Sequence, residues 1–206
     1  MLRVFHVLPY LLFINIIISQ NKVNENNLVK YGNKYFKQND DTPFTGIVFD
    51  MSKKTGSKIL EYKMIDGQKN GFYKRWSEKG DLITKGRFFK NDSINEWIFY
   101  YTNGSKMIEG KYKDGVKNGG WLEYHRNGTL LIKEKYLNGI RNGPWEKWSS
   151  YGNKIAEGEY TDGIKTGRWR FWSDDNVLIS DKSYINGLEL SRFSNGNYIE
   201  NNFELA

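Results

Sequence analysis

Every 24 residues the chain returns to a residue that tolerates left-handed backbone. Gly67, Asn91, Gly115, Gly139, Gly163 and Gly187 form one such series, each step being 24 residues. A second series, Gly71, Asn95, Gly119, Gly143 and Gly167, runs four residues behind the first. A third follows at Gly80, Gly104, Gly128, Gly152 and Asn176. Wherever glycine is lost, asparagine replaces it, and asparagine is the non-glycine residue that best accepts positive φ. Backbone conformation therefore sets the period. Self-similarity at roughly 20–50 residues marks a repeat architecture.

The aromatic residues keep the same period. Tyr73, Trp97, Trp121, Trp145 and Trp169 form one column, and Trp76, Tyr100, Tyr124, Trp148 and Trp172 a second. Phe88, Tyr112, Tyr136, Tyr160 and Tyr184 form a third, with an aliphatic column at Ile83, Met107, Leu131, Ile155 and Ile179. Each unit has room for two strands of about eight residues and two tight turns. Asn-Gly and Asp-Gly dipeptides are strong hairpin signals, because both central residues of a type I′ turn need φ > 0. They stand at Asp66-Gly67, Asn103-Gly104, Asp114-Gly115, Asn127-Gly128, Asn138-Gly139, Asp162-Gly163 and Asn186-Gly187. The sequence thus predicts an all-β fold: an elongated array of antiparallel β-hairpins forming a single twisted open sheet. Aromatics make up 16% of the residues. That argues against disorder and for stacked aromatic columns in place of an aliphatic core.

Residues three apart on a strand face opposite sides. The Trp97/Trp121/Trp145/Trp169 column should therefore lie on one face and the Tyr100/Tyr124/Trp148/Trp172 column on the other. Phe99 and Phe171 join the first column, so that face should be the better packed.

The spacing G-x-W-x-x-[YW]-x-x-x-G, followed by Y-x-x-G as in Tyr112-Lys113-Asp114-Gly115, resembles the MORN-repeat-variant family of bacteria. Its members are often labelled YwqK-type antitoxin-like proteins. The resemblance covers residues 43–187 and includes the opening Phe44-Thr45-Gly46. It implies antiparallel hairpins in an elongated sheet. Departures are Asn91 and Asn95 in place of glycines, and Pro144 beside Gly143.

Ahead of the array, Met1-Leu2-Arg3 gives a short positive start, Val4–Ile18 is largely apolar, and Ser19-Gln20 precedes a polar stretch. This reads as a cleaved signal peptide over residues 1–19. The apolar run is short for a membrane span, which needs ~20 residues. Residues 20–42 read as an N-terminal linker, 43–187 as the repeat array and 188–206 as a degenerate repeat or cap built around Phe193 and Asn195-Gly196. The expected location is secreted, periplasmic or cell-envelope. A secretion signal argues against neutralising a cytoplasmic toxin.

The chemistry offered is sparse. The chain has no Cys, and of its two His, His6 lies in the signal segment expected to be removed, leaving His125 alone, so thiolate chemistry and a multi-histidine metal site are excluded. His125 reads as a structural or solvated residue. Asp66, Asp114 and Asp162 recur every 48 residues, and turn chemistry explains them without a metal. No phosphate loop, dinucleotide fingerprint or zinc-protease motif occurs. The sequence therefore predicts no enzyme and no cofactor.

What remains is a surface. Lys69, Lys117, Arg141 and Lys165 occupy one repeat position, and Arg87, Lys111 and Lys135 make a second basic line. The candidate binding surface combines Trp76, Tyr100, Tyr124, Trp148 and Trp172 with Lys69, Lys117, Arg141 and Lys165. The favoured partner is a protein, because extended repeats offer broad surfaces. An envelope glycan or anionic lipid is the alternative, and nucleic acid is excluded by the expected location.

Overall fold

The computed structural model describes residues 21–192 and 198–200, with side chains described over 21–190. The signal segment and the Phe193, Asn195-Gly196 copy therefore lie outside the described residues. Eighteen strands are described: β1 (Lys22–Asn24), β2 (Leu28–Tyr31), β3 (Lys34–Lys37), β4 (Gly46–Met51), β5 (Lys58–Ile65), β6 (Gln68–Trp76), β7 (Leu82–Phe89), β8 (Asp92–Tyr100), β9 (Lys106–Lys113), β10 (Val116–Tyr124), β11 (Leu130–Leu137), β12 (Ile140–Arg141), β13 (Gly143–Trp148), β14 (Lys154–Thr161), β15 (Ile164–Trp172), β16 (Leu178–Ile185), β17 (Leu188–Arg192) and β18 (Tyr198–Glu200). From β4 to β18 each strand pairs antiparallel with the next in sequence, apart from the short β12, which pairs with β11 beside β13. The result is the elongated open hairpin array that the period predicts. β1 adds in parallel to β4, and β2–β3 form a separate hairpin.

All three glycine/asparagine series have positive φ, from Asn95 at 56° to Gly71 at 116°. They do three different jobs. The first series closes two-residue turns in which both central residues are left-handed, as in Asp114 (50°) and Gly115 (80°). The second lies in bulges, such as the register shift between Lys117 and Trp121. The third corrects an expectation. At Asn103-Gly104 and Asn127-Gly128 only the glycine has positive φ, so these are not type I′ turns. Gly128 N–H donates to His125 O, and His125 N–H donates to Thr129 O, closing a three-residue loop with glycine as its left-handed closing residue. The asparagine faces a different task. Asn103 Nδ2 donates to Arg126 O at 3.0 Å and Asn127 Nδ2 to Ser150 O at 2.8 Å, stitching each loop to the next. The aliphatic column Ile83, Met107, Leu131, Ile155 and Ile179 occupies the extra position of a bulge beside each of these loops.

Residues 21–42, expected as a linker, instead carry β1, a 3₁₀ turn and the β2–β3 hairpin. Tyr35 N–H donates to Gly67 O, and Leu28 and Tyr35 pack on a core of Val23, Phe44, Val48, Tyr62 and Met64. The physical reason is edge protection. A long sheet must cover its first strand and first ring, and this segment supplies the cover.

Candidate functional site

The Trp121 face is built from rings seated on glycines. Gly86, Gly110 and Gly158 each lie under a tryptophan of the following strand. A Cβ there would sit 2.2 Å from Trp97, 2.3 Å from Trp121 and 2.2 Å from Trp169. The tyrosines and phenylalanine of the returning strands stand edge-on between them, as with Tyr112 and Trp121 at 5.0 Å and 89°. Trp121 and Trp169 are 1% exposed and Trp97 5%. A single-layer sheet thus builds a core from one face, as expected for this column.

The basic series roofs that core. Lys117 Nζ lies 4.1 Å from the Trp121 centroid and 4.7 Å from that of Tyr136. Lys165 covers Trp169 at 4.3 Å, Lys69 covers Tyr62 at 4.9 Å, and Arg141 lies 5.6 Å from Tyr160. Lys69, Lys117 and Lys165 have no carboxylate within ion-pair distance among the described residues.

One unit departs from this plan. Glu134 takes the place that Gly86, Gly110 and Gly158 hold elsewhere, and its side chain is only 2% exposed. It accepts from Tyr136 Oη at 2.8 Å and from Arg141 Nε at 2.7 Å. Burial, followed by the Glu134 hydrogen bond, pushes the Tyr136 phenol up to about 12. With its seat occupied, Trp145 stacks on Trp169 instead, centroids 5.3 Å apart at 29°. It is half-buried, and the neighbouring chain is broken into β12 and β13.

The opposite, Trp148, face carries Trp76, Tyr100, Tyr124, Trp148 and Trp172. Their charged neighbours are Lys58 at 5.4 Å from Trp76, Lys85 at 5.8 Å from Tyr100, Lys154 at 5.6 Å from Trp148 and Arg170 at 5.6 Å from Trp172. Tyr124 Oη donates to Glu109 at 2.6 Å. Burial and that bond push the Tyr124 phenol up to about 12. Burial works against the Glu109 carboxylate, but the hydrogen bonds from Lys106 and Tyr124 outweigh it and hold its pKa below the usual value. Most charges on this face are paired: Lys58–Glu61, Lys106–Glu109, Lys154 with Glu146 and Glu157, and Arg170–Glu157.

The nine residues expected to form one binding surface are therefore divided. Trp76, Tyr100, Tyr124, Trp148 and Trp172 share one face, while Lys69, Lys117, Arg141 and Lys165 lie on the other. Lys117 and Trp121 are four residues apart and the intervening bulge adds an even number of residues, so strand alternation keeps them together. Among the missed residues, Gly110 and its equivalents carry a readable signal: they share the 24-residue period. His125 has a stitching role, its Nε2 lying 3.0 Å from Trp148 O. Among the described residues no group of three or more acidic or histidine side chains could hold a metal ion.

No family model and no curated protein matches the chain. Among solved structures it is similar to alternansucrase in complex with isomaltononaose, at 12% identity and a TM-score of 0.20. The alignment covers 83% of this chain and 13% of that one. Fold and site define an open all-β repeat protein with two chemically unlike faces.

Proposed function

We propose that the chain is a secreted or envelope-located, non-catalytic recognition protein of the MORN-repeat-variant type, binding a protein partner through its Trp148 face. The observation that carries this reading is the pairing of charges beside half-exposed rings. Tyr, Trp and Arg with internally neutralised charge make a surface that suits a protein interface, where aromatics and arginine are enriched. A polyanion would instead need free cations. Equivalent rings recur every two strand spacings, ~9.5 Å, so a long partner could engage several at once.

The test is capture from cell-envelope fractions, intact and protease-treated, by the purified chain and by a Trp76→Ala/Trp148→Ala variant. A protease-sensitive target retained by the parent and lost by the variant is the expected result. Capture that survives both treatments refutes the reading. Lys69, Lys117 and Lys165 favour one second reading, because they lack carboxylate partners: attachment of the Trp121 face to an anionic envelope surface. Sedimentation with vesicles containing anionic lipid, abolished by Lys117→Gln/Lys165→Gln, would establish it.

A further inference from the structure

We infer that the groove beside Trp145 is a carbohydrate site, taking a neutral pyranose unit of an oligosaccharide. It shares Trp172 with the Trp148-face surface proposed above and otherwise draws on the Trp121 face and the adjoining loops. The groove is open to solvent, has a volume of about 450 Å³ and is lined by Trp145, Lys147, Ala156, Phe171, Trp172 and Asp174, among others. That volume is within the range of small-ligand sites, roughly 300–1,000 Å³.

Two local departures from the repeat make it. The first is Glu134, which displaces Trp145 from the seat its equivalents use and leaves its ring half-buried at the groove. The second is Ala156, the smallest side chain at a strand position that carries Thr84 and Ser180 in two other units and Ile108 and Ile132 in the two preceding ones. Alanine removes most of that side chain, and Lys147 and Phe171 flank the gap as its direct cross-strand neighbours. Glu134 on β11 and Ala156 on β14 flank β13, which carries Trp145 and Lys147, so both bear on the same space.

The lining chemistry selects the ligand. A pyranose offers a flat C–H face and a ring of hydroxyls. Indole and phenyl rings match the first, since they present extended apolar surface. The second needs donors and acceptors of both signs. Lys147 and the Asp174 carboxylate supply them, and neither has an ion-pair partner among the described residues. The Ser149 and Ser173 hydroxyls each accept a backbone N–H, from Tyr151 and Val177, which leaves their own protons available to donate. One cation and one carboxylate favour a neutral ligand over an anionic one, which Asp174 would repel.

The test is titration of the purified chain with neutral oligosaccharides of glucose, galactose and N-acetylglucosamine, read by tryptophan fluorescence and calorimetry. Saturable binding of at least one is expected. Ala156→Ile restores the side chain that Ile108 and Ile132 carry, so it should fold normally and weaken binding at least tenfold. Trp145→Leu should do the same, with folding checked by circular dichroism. Binding that Ala156→Ile leaves unchanged, or no binding by any of the three series, overturns the inference. So does a groove that takes an aromatic peptide in preference to sugars. Failure here with intact Trp148-dependent capture would refute this site alone, whereas the reverse pattern would refute only the face assignment.

Discussion

Gly110→Ala should destabilise the protein far more than its single methyl group suggests. The added Cβ would lie 2.3 Å from Trp121 Cδ2, 2.5 Å from Cε2 and 2.6 Å from Cγ. Unstrained carbon contacts need about 3.5 Å or more, so the ring must retreat by roughly 1 Å. It has nowhere to go: the ring is 1% exposed, held edge-on by Tyr112 and roofed by Lys117. Overpacking of this kind costs ~1–3 kcal/mol, and complete loss of a buried aromatic ~3–5 kcal/mol. We expect about 3 kcal/mol. Two other glycines separate the causes. Gly104 has open space around its Cβ position but a φ of 83°, so alanine there meets only left-handed strain, ~1–2 kcal/mol. Gly120 has open space and no positive φ, so Gly120→Ala should be neutral to slightly stabilising, by up to about 1 kcal/mol. Urea denaturation followed by circular dichroism and tryptophan fluorescence would rank the three. If Gly110→Ala unfolds within about 0.5 kcal/mol of Gly120→Ala, the glycine-seat explanation of the core is wrong.

Further outcomes follow from the two faces. Trp121→Ala should cost ~3–5 kcal/mol, and Trp148→Ala clearly less, by chemical denaturation; the reverse order would mean that the packed face has been misassigned. Arg141→Ala should cost about 2 kcal/mol, less than a fully buried pair because Arg141 is half exposed and Tyr136 still donates to Glu134, whereas Lys117→Ala forfeits a cation–ring contact of ~1 kcal/mol; equal losses in thermal melts would contradict the special status of Glu134. Tyr124 and Tyr136 titrate near 12, above the ordinary 10, so the fold favours their neutral forms. Their stabilisation should hold below about pH 10 and fade as pH rises through 12, with phenolate absorbance rising later than in Tyr124→Phe or unfolded chain. Glu109 and Glu146 have lowered pKa values, Glu146 through the Lys154 hydrogen bond against opposing burial. Their contribution is present above the unfolded carboxylate value of ~4.3 and should be lost as pH falls below it, as read by acid unfolding of the glutamine variants.

The backbone was the most legible part of this protein. Positive φ is a hard steric demand, met along this period by glycine and asparagine and, at the residue before the first turn glycine, also by Asp66, Lys90, Asp114 and Asp162. Side-chain alternation then placed the two tryptophan columns on opposite faces, and the better-packed column was identifiable from Phe99 and Phe171. Two features escape the period for different reasons. Charge and aromatic columns share a period, so by period alone the basic residues read as companions of Tyr124 and Trp148. Period alone does not encode a face; parity does, and Lys117 is an even number of residues from Trp121 and an odd number from Tyr124. The β2–β3 cap was missed because it belongs to no repeat. Tyr35, Phe44 and Met64 identify themselves as a core only once the sheet edge they cover exists.

The glycine seats also explain why the break at Glu134 matters beyond its own strand. In a sheet where each unit touches only its neighbours, a local change of plan should remain local. The rings add side-chain coupling between units to that of the backbone ladder. Ring contacts run from Tyr62 through Trp97 and Trp121 to Tyr136, and again from Trp145 to Tyr184. Glu134 and Arg141 stand at the junction of the two runs, where an ion pair replaces a ring on a glycine. A buried carboxylate paired with an arginine that is itself half exposed is a poor source of stability compared with the apolar packing it displaces. Retaining it at one unit, while three others keep glycine, therefore makes little sense as stabilisation. It makes more sense as a device of shape: it frees Trp145 from the core, and that ring now stands at the groove whose floor Ala156 has already lowered.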